Sequence, residues 1–205
     1  MRAANFLTLP NILTLSRLPL AVVLFVCIAQ SWWWTGLAVF GVAALTDWLD
    51  GLAARRLNQL SALGRNLDPL IDKVLTGGAF IYLLPVEGSG LMPWMVVVIV
   101  GRELLVTGLR GIMESHGIRF GADLWGKIKM VLQCAVLVVI LAVFAMKPSL
   151  TPSVFAGVQW VQKVLLYLML IATLFSGLQY LWRAVYHPPQ PHPLRVDTIP
   201  VTPNS

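Results

Sequence analysis

The sequence predicts an all-α integral membrane protein, a bundle of six transmembrane helices with an N-terminal helix lying in the membrane interface. The first observation is composition, because 58% of the residues are hydrophobic and only 12% are charged, whereas charged residues make up about a quarter of a soluble domain. The second is the presence of six apolar runs, each near the roughly 20 residues that cross a bilayer core. The third is length, because 205 residues fit one such domain.

The apolar runs are separated by segments that favour the water interface or a turn. The tryptophans of SWWW (31–34) suit the interface after the first run. The glycines of EGSG (87–90) end the third run, and the two prolines of KPSLTPS (147–153) separate the last two. The predicted transmembrane helices are 15–30, 33–57, 67–86, 92–115, 124–146 and 153–185.

Two terminal segments lie outside these helices. NFLTLPNILTLSR (5–17) mixes apolar and polar residues, which predicts an interfacial helix that leads into the first span. The segment 187–205 is rich in proline and polar residues, so it is predicted to be a disordered tail without a catalytic role. Residues 1–186 form the predicted membrane domain.

The positive charge of the chain predicts its orientation. A net charge of +6 would suggest a nucleic-acid partner in a soluble protein, but cytoplasmic ends of membrane helices carry excess Lys and Arg. With the N-terminus in the cytoplasm, the basic residues fall mostly on that side, and the other side has little beyond Lys147. We therefore expect cytoplasmic termini, cytoplasmic loops at 55–66 and 115–124, and no nucleic-acid partner. Cys27 and Cys134 lie in apolar segments, which predicts packing and no disulfide.

Acidic residues are concentrated in one short segment. Four of the nine acidic residues lie in TDWLDGLAARRLNQLSALGRNLDPLIDK (46–73). Asp47 and Asp50 are three apart on the second predicted helix, so they share one face of it. Asp68 and Asp72 are four apart on the third and share a face in the same way. Because a short link makes two helices antiparallel neighbours, the four carboxylates are predicted to converge in one pocket.

Such a pocket requires a positive counter-charge. A charged side chain in a membrane helix costs about 2.5–3.5 kcal/mol on insertion scales, and four carboxylates also repel one another. Four oxygen donors without neighbouring Cys or His favour Mg²⁺ or Mn²⁺ and are enough to bridge two ions. Paired ions of this kind recur in enzymes that displace groups at phosphorus. Ion pairing with arginines would explain a single aspartate, but not four at these spacings.

The residues between the aspartates fit a phosphate-bearing ligand. Gly51, Ala53 and Ala54 lack bulk, so a nucleotide base or a phosphate can approach the helix closely. Arg55 adds a fork of donors suited to a diphosphate. Gly64 favours a turn into the third helix. The alternative for the small residues is helix packing, which is their commoner use in membranes.

Eight positions of this segment resemble the signature of the CDP-alcohol phosphotransferase family, D-x-x-D-G-x-x-A-R-x8-G-x-x-x-D-x-x-x-D. Every fixed position of the signature is matched, by Asp47, Asp50, Gly51, Ala54, Arg55, Gly64, Asp68 and Asp72. The resemblance implies the fold of that family, a six-helix membrane domain. It also implies the reaction, in which a phosphoalcohol moves from a CDP-linked donor to a second alcohol and CMP is released.

The resemblance also implies roles for individual residues. The two metal ions are held by Asp47, Asp50, Asp68 and Asp72. Asp72 is in addition the candidate base that takes the proton from the attacking hydroxyl. The CDP site is lined by Gly51, Ala54, Arg55 and Gly64. Asn11, Thr14 and Arg17 match the N-terminal pattern of the family, which implies that they border the same pocket.

Further segments resemble bacterial members of the family that join CDP-diacylglycerol to sn-glycerol 3-phosphate. These segments are LPNILTLSRLPL (9–20), LDPLIDKVL (67–75), GRELLVTGLR (101–110) and LWGKIKMVLQ (124–133). The resemblance implies an enzyme of phospholipid biosynthesis in the bacterial inner membrane, with its active site facing the cytoplasm. It further implies a homodimer.

An anionic acceptor requires fixed positive charge near the metal ions. Arg102 and Arg110 on the fourth predicted helix, Lys127 and Lys129 at the start of the fifth, and Arg17 are the candidates for binding its phosphate. For Lys129 the general excess of cytoplasmic basic residues is an equally good explanation. Arg102 could instead pair with Glu103 or Glu114.

Other acceptors and one other class of protein remain open at this point. The same donor could react with inositol phosphate, serine or phosphatidylglycerol, and of these inositol phosphate is hardest to exclude because it is also anionic. A divalent-cation transporter would also use intramembrane carboxylates. It predicts acidic residues spread through the depth of the membrane, whereas here they lie near one face.

Overall fold

The computed structural model describes residues 9–57, 62–115 and 124–186. Within these ranges, only the backbone is described for residues 9–15, 47–57, 62–69, 114, 115 and 184. The described residues form six long α-helices and no strand, so the all-α prediction is confirmed for them. The helices are α1 Leu9–Ala29, α2 Trp33–Leu57, α3 Ala62–Leu83, α4 Pro93–Ser115, α5 Leu124–Met146 and α6 Pro152–Tyr186, with a short 3-10 helix at Lys147–Ser149 between the last two.

The predicted boundaries agree closely for every helix except the first and the third. The third was predicted at 67–86, but α3 is Ala62–Leu83. Its first turns are polar, so they do not extend an apolar run although they are fully compatible with a helix. It ends earlier because Pro85 cannot donate a backbone hydrogen bond and disfavours helical geometry at the preceding residue.

The N-terminal segment differs from its prediction. The described part of it, from Leu9 onward, is the beginning of α1, a single helix that continues to Ala29. No separate interfacial helix therefore exists in the described residues. Pro10 lies in the first turn, where a proline is tolerated because its missing N–H would have no helical partner there. The predicted tail at 187–205 lies outside the described residues.

The helices run alternately up and down the bundle. Trp33 at the start of α2 stacks on Phe144 near the end of α5 with ring centroids 4.7 Å apart. Phe25 and Tyr82, near the ends of α1 and α3, stack at 4.9 Å. One end of the bundle, here called the loop end, therefore contains residues 30–32, 84–92 and 147–151. At the other, called the site end, α2 and α4 finish and α3 and α5 begin.

The packing between helices centres on α1 and α5. Helix α1 packs on both α2 and α3, while α5 packs on α6, α2 and α3. Helix α4 packs on α6 and α3. Among the described residues α2 and α3 have at most marginal contact with each other. Both helices pack on α1, and their direct packing around the aspartates, of which only Asp72 has a described side chain, stays a prediction.

The apolar core fills the loop-end half of the bundle. Side chains such as Leu24 on α1, Phe40 on α2 and Phe80 on α3 are fully buried there. They pack with buried residues of the other three helices, among them Met95, Ile99, Leu137, Ile140, Leu141, Leu166 and Met169. Toward the site end, buried polar residues such as Arg17, Glu103 and Lys129 lie among buried apolar ones such as Ile71, Val106 and Met113.

The loop between α3 and α4 is tied to α6. Gln162 of α6 donates from Nε2 to the carbonyl oxygens of Ser89, at 2.7 Å, and Gly88, at 3.3 Å. Gly88 and Gly90 have φ angles of +89° and +72°, a conformation that glycine adopts without strain. This contact closes the loop end over the core.

Two described stretches are long and apolar enough to cross a membrane by length and composition, Leu124–Ser149 and Pro152–Arg183. The predicted count of six spans is therefore not confirmed by this criterion. Among the residues whose side chains are described, α1 and α2 contribute the shorter apolar stretches Ser16–Ala29 and Trp33–Thr46.

Candidate active site

The predicted metal ligands lie on two helices at the site end. Asp47 and Asp50 are in the second half of α2, and Asp68 and Asp72 are in the first half of α3. The spacing of each pair along a continuous helix agrees with the predicted shared face. Asp72 is the one of the four whose side chain is described, and it is half-buried. Within the described side chains no group of three metal-ligating residues occurs, so convergence of the four carboxylates stays a prediction.

The predicted nucleotide-binding positions also belong to the site end. Gly51, Ala54 and Arg55 lie in the last turns of α2, and Gly64 lies in the first turn of α3. Asn11 and Thr14 lie in the first two turns of α1. The backbone thus brings all these positions to the same end of the bundle as the aspartates, while their side chains are outside the description.

Arg17 marks the boundary between polar and apolar layers on α1. It is 3% exposed, and the next buried positions toward the loop end, Ala21 and Leu24, are apolar. A buried guanidinium in the site-end half agrees with the predicted position beside the pocket. Its assignment to the acceptor phosphate stays a prediction.

The predicted acceptor residues of α4 have neighbours on α6. Arg102 donates from Nη2 to the hydroxyl of Ser176 and from Nη1, at 3.2 Å, to Glu103 Oε1. Arg110 donates from Nη2 to the hydroxyl of Tyr180 at 2.6 Å. Both guanidinium groups also lie near the ring of Tyr180, 5.8 and 5.7 Å from its centroid, within range of a cation–π interaction. The predicted alternative of an Arg102–Glu103 pair is confirmed.

The two lysines of α5 are in different environments. Lys129 is 5% exposed and forms an ion pair with Glu103 of α4. Lys127 is exposed. Two residues along a helix differ by about 200° in direction, so a helix that buries Lys129 turns Lys127 away. The structure therefore brings Lys129, but not Lys127, together with the α4 residues.

Lys73 of α3 is a further basic residue near α4, and it was not predicted from the sequence. It follows Asp72 on α3 and donates to the hydroxyl of Thr107 on α4. Thr107 in turn donates to the backbone carbonyl of Glu103 at 2.7 Å. Lys73 also lies within electrostatic range of Arg110. It thus links the predicted catalytic aspartate to the basic residues of α4.

These contacts join four helices in one group, here called the polar cluster. Its members are Lys73, Arg102, Glu103, Thr107, Arg110, Lys129, Ser176 and Tyr180. It contains four cationic side chains, and among the described side chains the acidic ones near them are Glu103 and Asp72. The buried Nε atoms of Arg102 and Arg110 have no hydrogen-bond acceptor within the described part of the chain. Among the described side chains, cations that are buried or half-buried, outnumber the nearby acids and have unused donors are suited to an anionic ligand.

The α6 members of the cluster, Ser176 and Tyr180, were also missed by sequence reasoning. Together with Thr173 they are buried positions with polar groups on this helix. Their spacing of three and four residues places them along one face. That pattern, together with Gly177 between them, is the signal that could have indicated a polar contact on this face.

The sequence of this chain is similar to a known protein family and to several of its members. Residues 7–180 match the sequence profile of the family described as CDP-alcohol phosphatidyltransferase. The chain is similar to proteins named CDP-diacylglycerol–glycerol-3-phosphate 3-phosphatidyltransferase from three bacteria. The relative from Pseudomonas fluorescens is 35% identical over 88% of this chain and 92% of its own. The relative from Bacillus subtilis is 37% identical over 59% of this chain and 69% of its own, and that from Salmonella choleraesuis is 33% identical over 84% and 92%.

Proposed function

The chain belongs to the CDP-alcohol phosphatidyltransferase family, and from this premise we propose that it transfers the phosphatidyl group of CDP-diacylglycerol to sn-glycerol 3-phosphate and releases CMP. The relatives named for this reaction support the choice of donor and acceptor. The structural observation that supports the choice of acceptor is the polar cluster, because its cations outnumber the acids among the described side chains and one of them, Lys73, lies beside Asp72.

The proposal places all six helices across a bacterial inner membrane with the site end toward the cytoplasm. Large apolar side chains are exposed on every helix, including Val26, Leu45, Val74, Val97, Val131 and Leu178. Such a surface is stable against lipid but would promote aggregation in water. The basic residues at the site end agree with a cytoplasmic orientation. A homodimer is part of the proposal only through the family resemblance.

Members of this family depend on divalent cations, and the acidic residues of this chain fit such ions. The four aspartates supply oxygen donors only, and no Cys or His accompanies them on α2 or α3. We assign two Mg²⁺ or Mn²⁺ ions to Asp47, Asp50, Asp68 and Asp72. When bound, the ions neutralise charge on the diphosphate of the donor and on the departing CMP.

The donor is held by residues of α2, α3 and α1. Arg55 offers paired N–H donors to the diphosphate. Gly51, Ala54 and Gly64 leave space for the nucleotide, and Asn11 and Thr14 border it. The acyl chains remain in the bilayer, so the reacting phosphorus is held at the level where the water-exposed end of the bundle meets the lipid.

Asp72 acts on the acceptor hydroxyl in this proposal. It takes the proton as the hydroxyl oxygen forms a bond to the phosphorus nearer the diacylglycerol. The bond from that phosphorus to the bridging diphosphate oxygen breaks, and CMP leaves with this oxygen. Most of the rate enhancement comes from positioning and fixed charge, as in other phosphoryl transfers.

The acceptor phosphate is bound by the basic residues of the polar cluster. Arg102, Arg110 and Lys129 converge from α4 and α5, and Arg17 adds a buried cation on α1. The proposal also keeps Lys127 as a rim contact, because it is exposed near the same end of the bundle. Serine has no phosphate for these residues to bind, whereas inositol phosphate has one.

The test is CMP release by the purified protein in detergent with CDP-diacylglycerol and either Mg²⁺ or Mn²⁺. Glycerol 3-phosphate, inositol phosphate, serine and phosphatidylglycerol are supplied one at a time, and glycerol serves as the control that lacks the phosphate. We expect release with glycerol 3-phosphate, loss of release on chelation of the metal, and little release with glycerol. Preferential reaction with another acceptor would overturn the substrate assignment and leave the family assignment intact.

The transporter alternative receives no support from the structure. Its ions would need a polar path along the bundle, but the described residues of the loop-end half form a buried apolar core. Metal flux into liposomes in the absence of a CDP-lipid would be needed to revive it.

A further inference from the structure

We propose that Glu103 is a positioning residue for the acceptor site, holding Lys129 and Arg102 in the geometry that binds the acceptor phosphate. This inference rests on the function proposed above. It concerns an acidic residue in a pocket for an anion, where a carboxylate would at first be expected to weaken binding.

Glu103 is located at the junction of three helices. It lies on α4 and is 6% exposed. Its Oε1 accepts from Lys129 of α5 and, at 3.2 Å, from Arg102 Nη1. Its backbone carbonyl accepts from Thr107, to which Lys73 of α3 donates. One residue therefore organises cations that come from α3, α4 and α5.

The neighbouring cations need this carboxylate because they repel one another. Lys129 interacts electrostatically with Arg102 and Lys73 as well as with Glu103. Among the described side chains the acidic ones are Asp72, Glu87 and Glu103, and Glu87 lies in the 84–92 loop at the opposite end. Without the carboxylate, Lys129 and Arg102 would separate, since nothing else described in this half balances both of them.

Arg102 is also held by α6, without any contribution from Glu103. Ser176 accepts from its Nη2, and a Cβ at Gly177 would lie 3.1 Å from its Cγ. The guanidinium is thus confined between α6 and Glu103, with only Nε left without an acceptor in the described residues. Loss of Glu103 removes one of its two anchors and leaves the other in place.

The decisive variant is Glu103→Gln, which keeps the shape of the side chain and removes its charge. Positioning and simple charge balance predict opposite results. If Glu103 only reduced the positive potential of the pocket, its removal would strengthen binding of the acceptor anion and lower the KM for glycerol 3-phosphate. If it positions the cations, the KM rises, and we expect an increase of roughly tenfold or more.

The measurement is steady-state CMP release with each substrate varied in turn. For Glu103→Gln we expect the KM for CDP-diacylglycerol to stay within about twofold of wild type, because the donor site is on α1, α2 and α3. Glu87→Gln is the matched control and should leave both KM values unchanged. An unchanged or lower KM for glycerol 3-phosphate in Glu103→Gln overturns the inference.

A double variant separates positioning from a purely structural ion pair. Glu103→Gln with Lys129→Met removes both charges of the pair and relieves the uncompensated lysine. If the pair only stabilises the bundle, the double variant regains the wild-type KM for the acceptor, and the inference is wrong. If Lys129 binds phosphate, the KM stays high although the elution profile and the thermal midpoint recover. Failure of wild-type protein to use glycerol 3-phosphate would instead sink the proposed function itself.

Discussion

Asp72 and Lys73 are consecutive residues of α3 that have different surroundings. Lys73 reaches α4 through Thr107, whereas Asp72 is half-buried and its carbonyl accepts from Thr76 at 3.0 Å. Neighbouring positions on a helix differ by about 100° in direction. The lysine can therefore serve the acceptor side of the site while the aspartate serves the reacting hydroxyl.

Replacing Asp72 with Asn tests the residue that has two roles in the proposed mechanism, as a metal ligand and as the base. The amide is isosteric but can neither accept the hydroxyl proton nor supply a charged metal ligand. We expect kcat for CMP release to fall about 10²–10⁴-fold, the usual contribution of a general acid or base. The measurement is CMP release at saturating substrates, with Glu87→Gln as the control. Activity close to wild type with metal still bound would show that Asp72 is not the base.

At the scale of single residues, composition and local spacing predicted some contacts and missed others. The pairing of Arg102 with the adjacent Glu103 could be predicted from the sequence. The hydrogen bonds of Thr107 and Thr173 to carbonyls one turn earlier are typical of helical threonines. Tyr180 could not be assigned to Arg110, because 70 residues separate them. The sequence contains no local signal for such a contact.

Among the helices, the contact of α1 with α3 depends on one glycine. A Cβ at Gly78 would lie 2.2 Å from Phe25 Cζ, and the ring of Phe25 is already stacked on Tyr82. At the preceding position, Gly77, a Cβ would meet Val100 Cγ2 at 3.6 Å, an ordinary contact. Two adjacent glycines thus differ sharply in the space around them.

Substituting these two glycines tests the packing. Gly78→Ala should destabilise the protein, since overpacking typically costs about 1–3 kcal/mol and outweighs the roughly 0.5–1 kcal/mol that alanine gains over glycine in a helix. Gly77→Ala should be neutral or stabilising. The thermal midpoint of each purified variant in detergent provides the measurement. Equal midpoints for the two variants would contradict the described approach of Phe25.

Helix boundaries were largely predictable because apolar runs and their breaks are local features. The predictions for α2 and α5 coincide with Trp33–Leu57 and Leu124–Met146. The order of neighbours was not predictable in the same way. A short link predicted direct packing of α2 on α3, but it did not predict that both helices also pack on α1. Neighbour choice depends on the shapes of whole helix surfaces, which one sequence does not reveal.

Across the whole molecule, one half of the bundle has an apolar core and the other mixes buried polar residues with apolar ones. The change is seen at corresponding levels of α1 and α5, between Ala21 and Arg17 and between Val136 and Gln133. The sequence indicated that charge lies toward one end. Only the tertiary structure shows that the change from apolar to polar buried residues occurs at the same level on different helices. It places the polar cluster and the predicted donor site in the same half.

Cysteine labelling tests whether the two halves face opposite sides of a membrane. In a background with Cys27 and Cys134 replaced by Ser, Leu124→Cys and Ser149→Cys introduce thiols at exposed positions at or just beyond the two ends of α5. These positions are 25 residues apart (149 − 124), about 37 Å in a helix, which exceeds a hydrocarbon core of about 30 Å.

An impermeant thiol reagent added to intact bacterial cells should label Ser149→Cys. It should label Leu124→Cys only after the inner membrane is permeabilised. Labelling of both from outside, or of neither before permeabilisation, would contradict the proposed orientation of α5.

The hydrogen bonds from Gln162 to the backbone of Gly88 and Ser89 lie over the apolar core at the loop end. This arrangement affects the order in which reactants and products exchange. The described residues of the loop-end half form an apolar core, so in the proposed mechanism glycerol 3-phosphate and CMP enter and leave at the site end. The nucleotide of the next donor binds where CMP was held, so CMP must leave before that donor can bind. The lipid product, in contrast, diffuses laterally into the bilayer. Its release therefore does not depend on the departure of CMP.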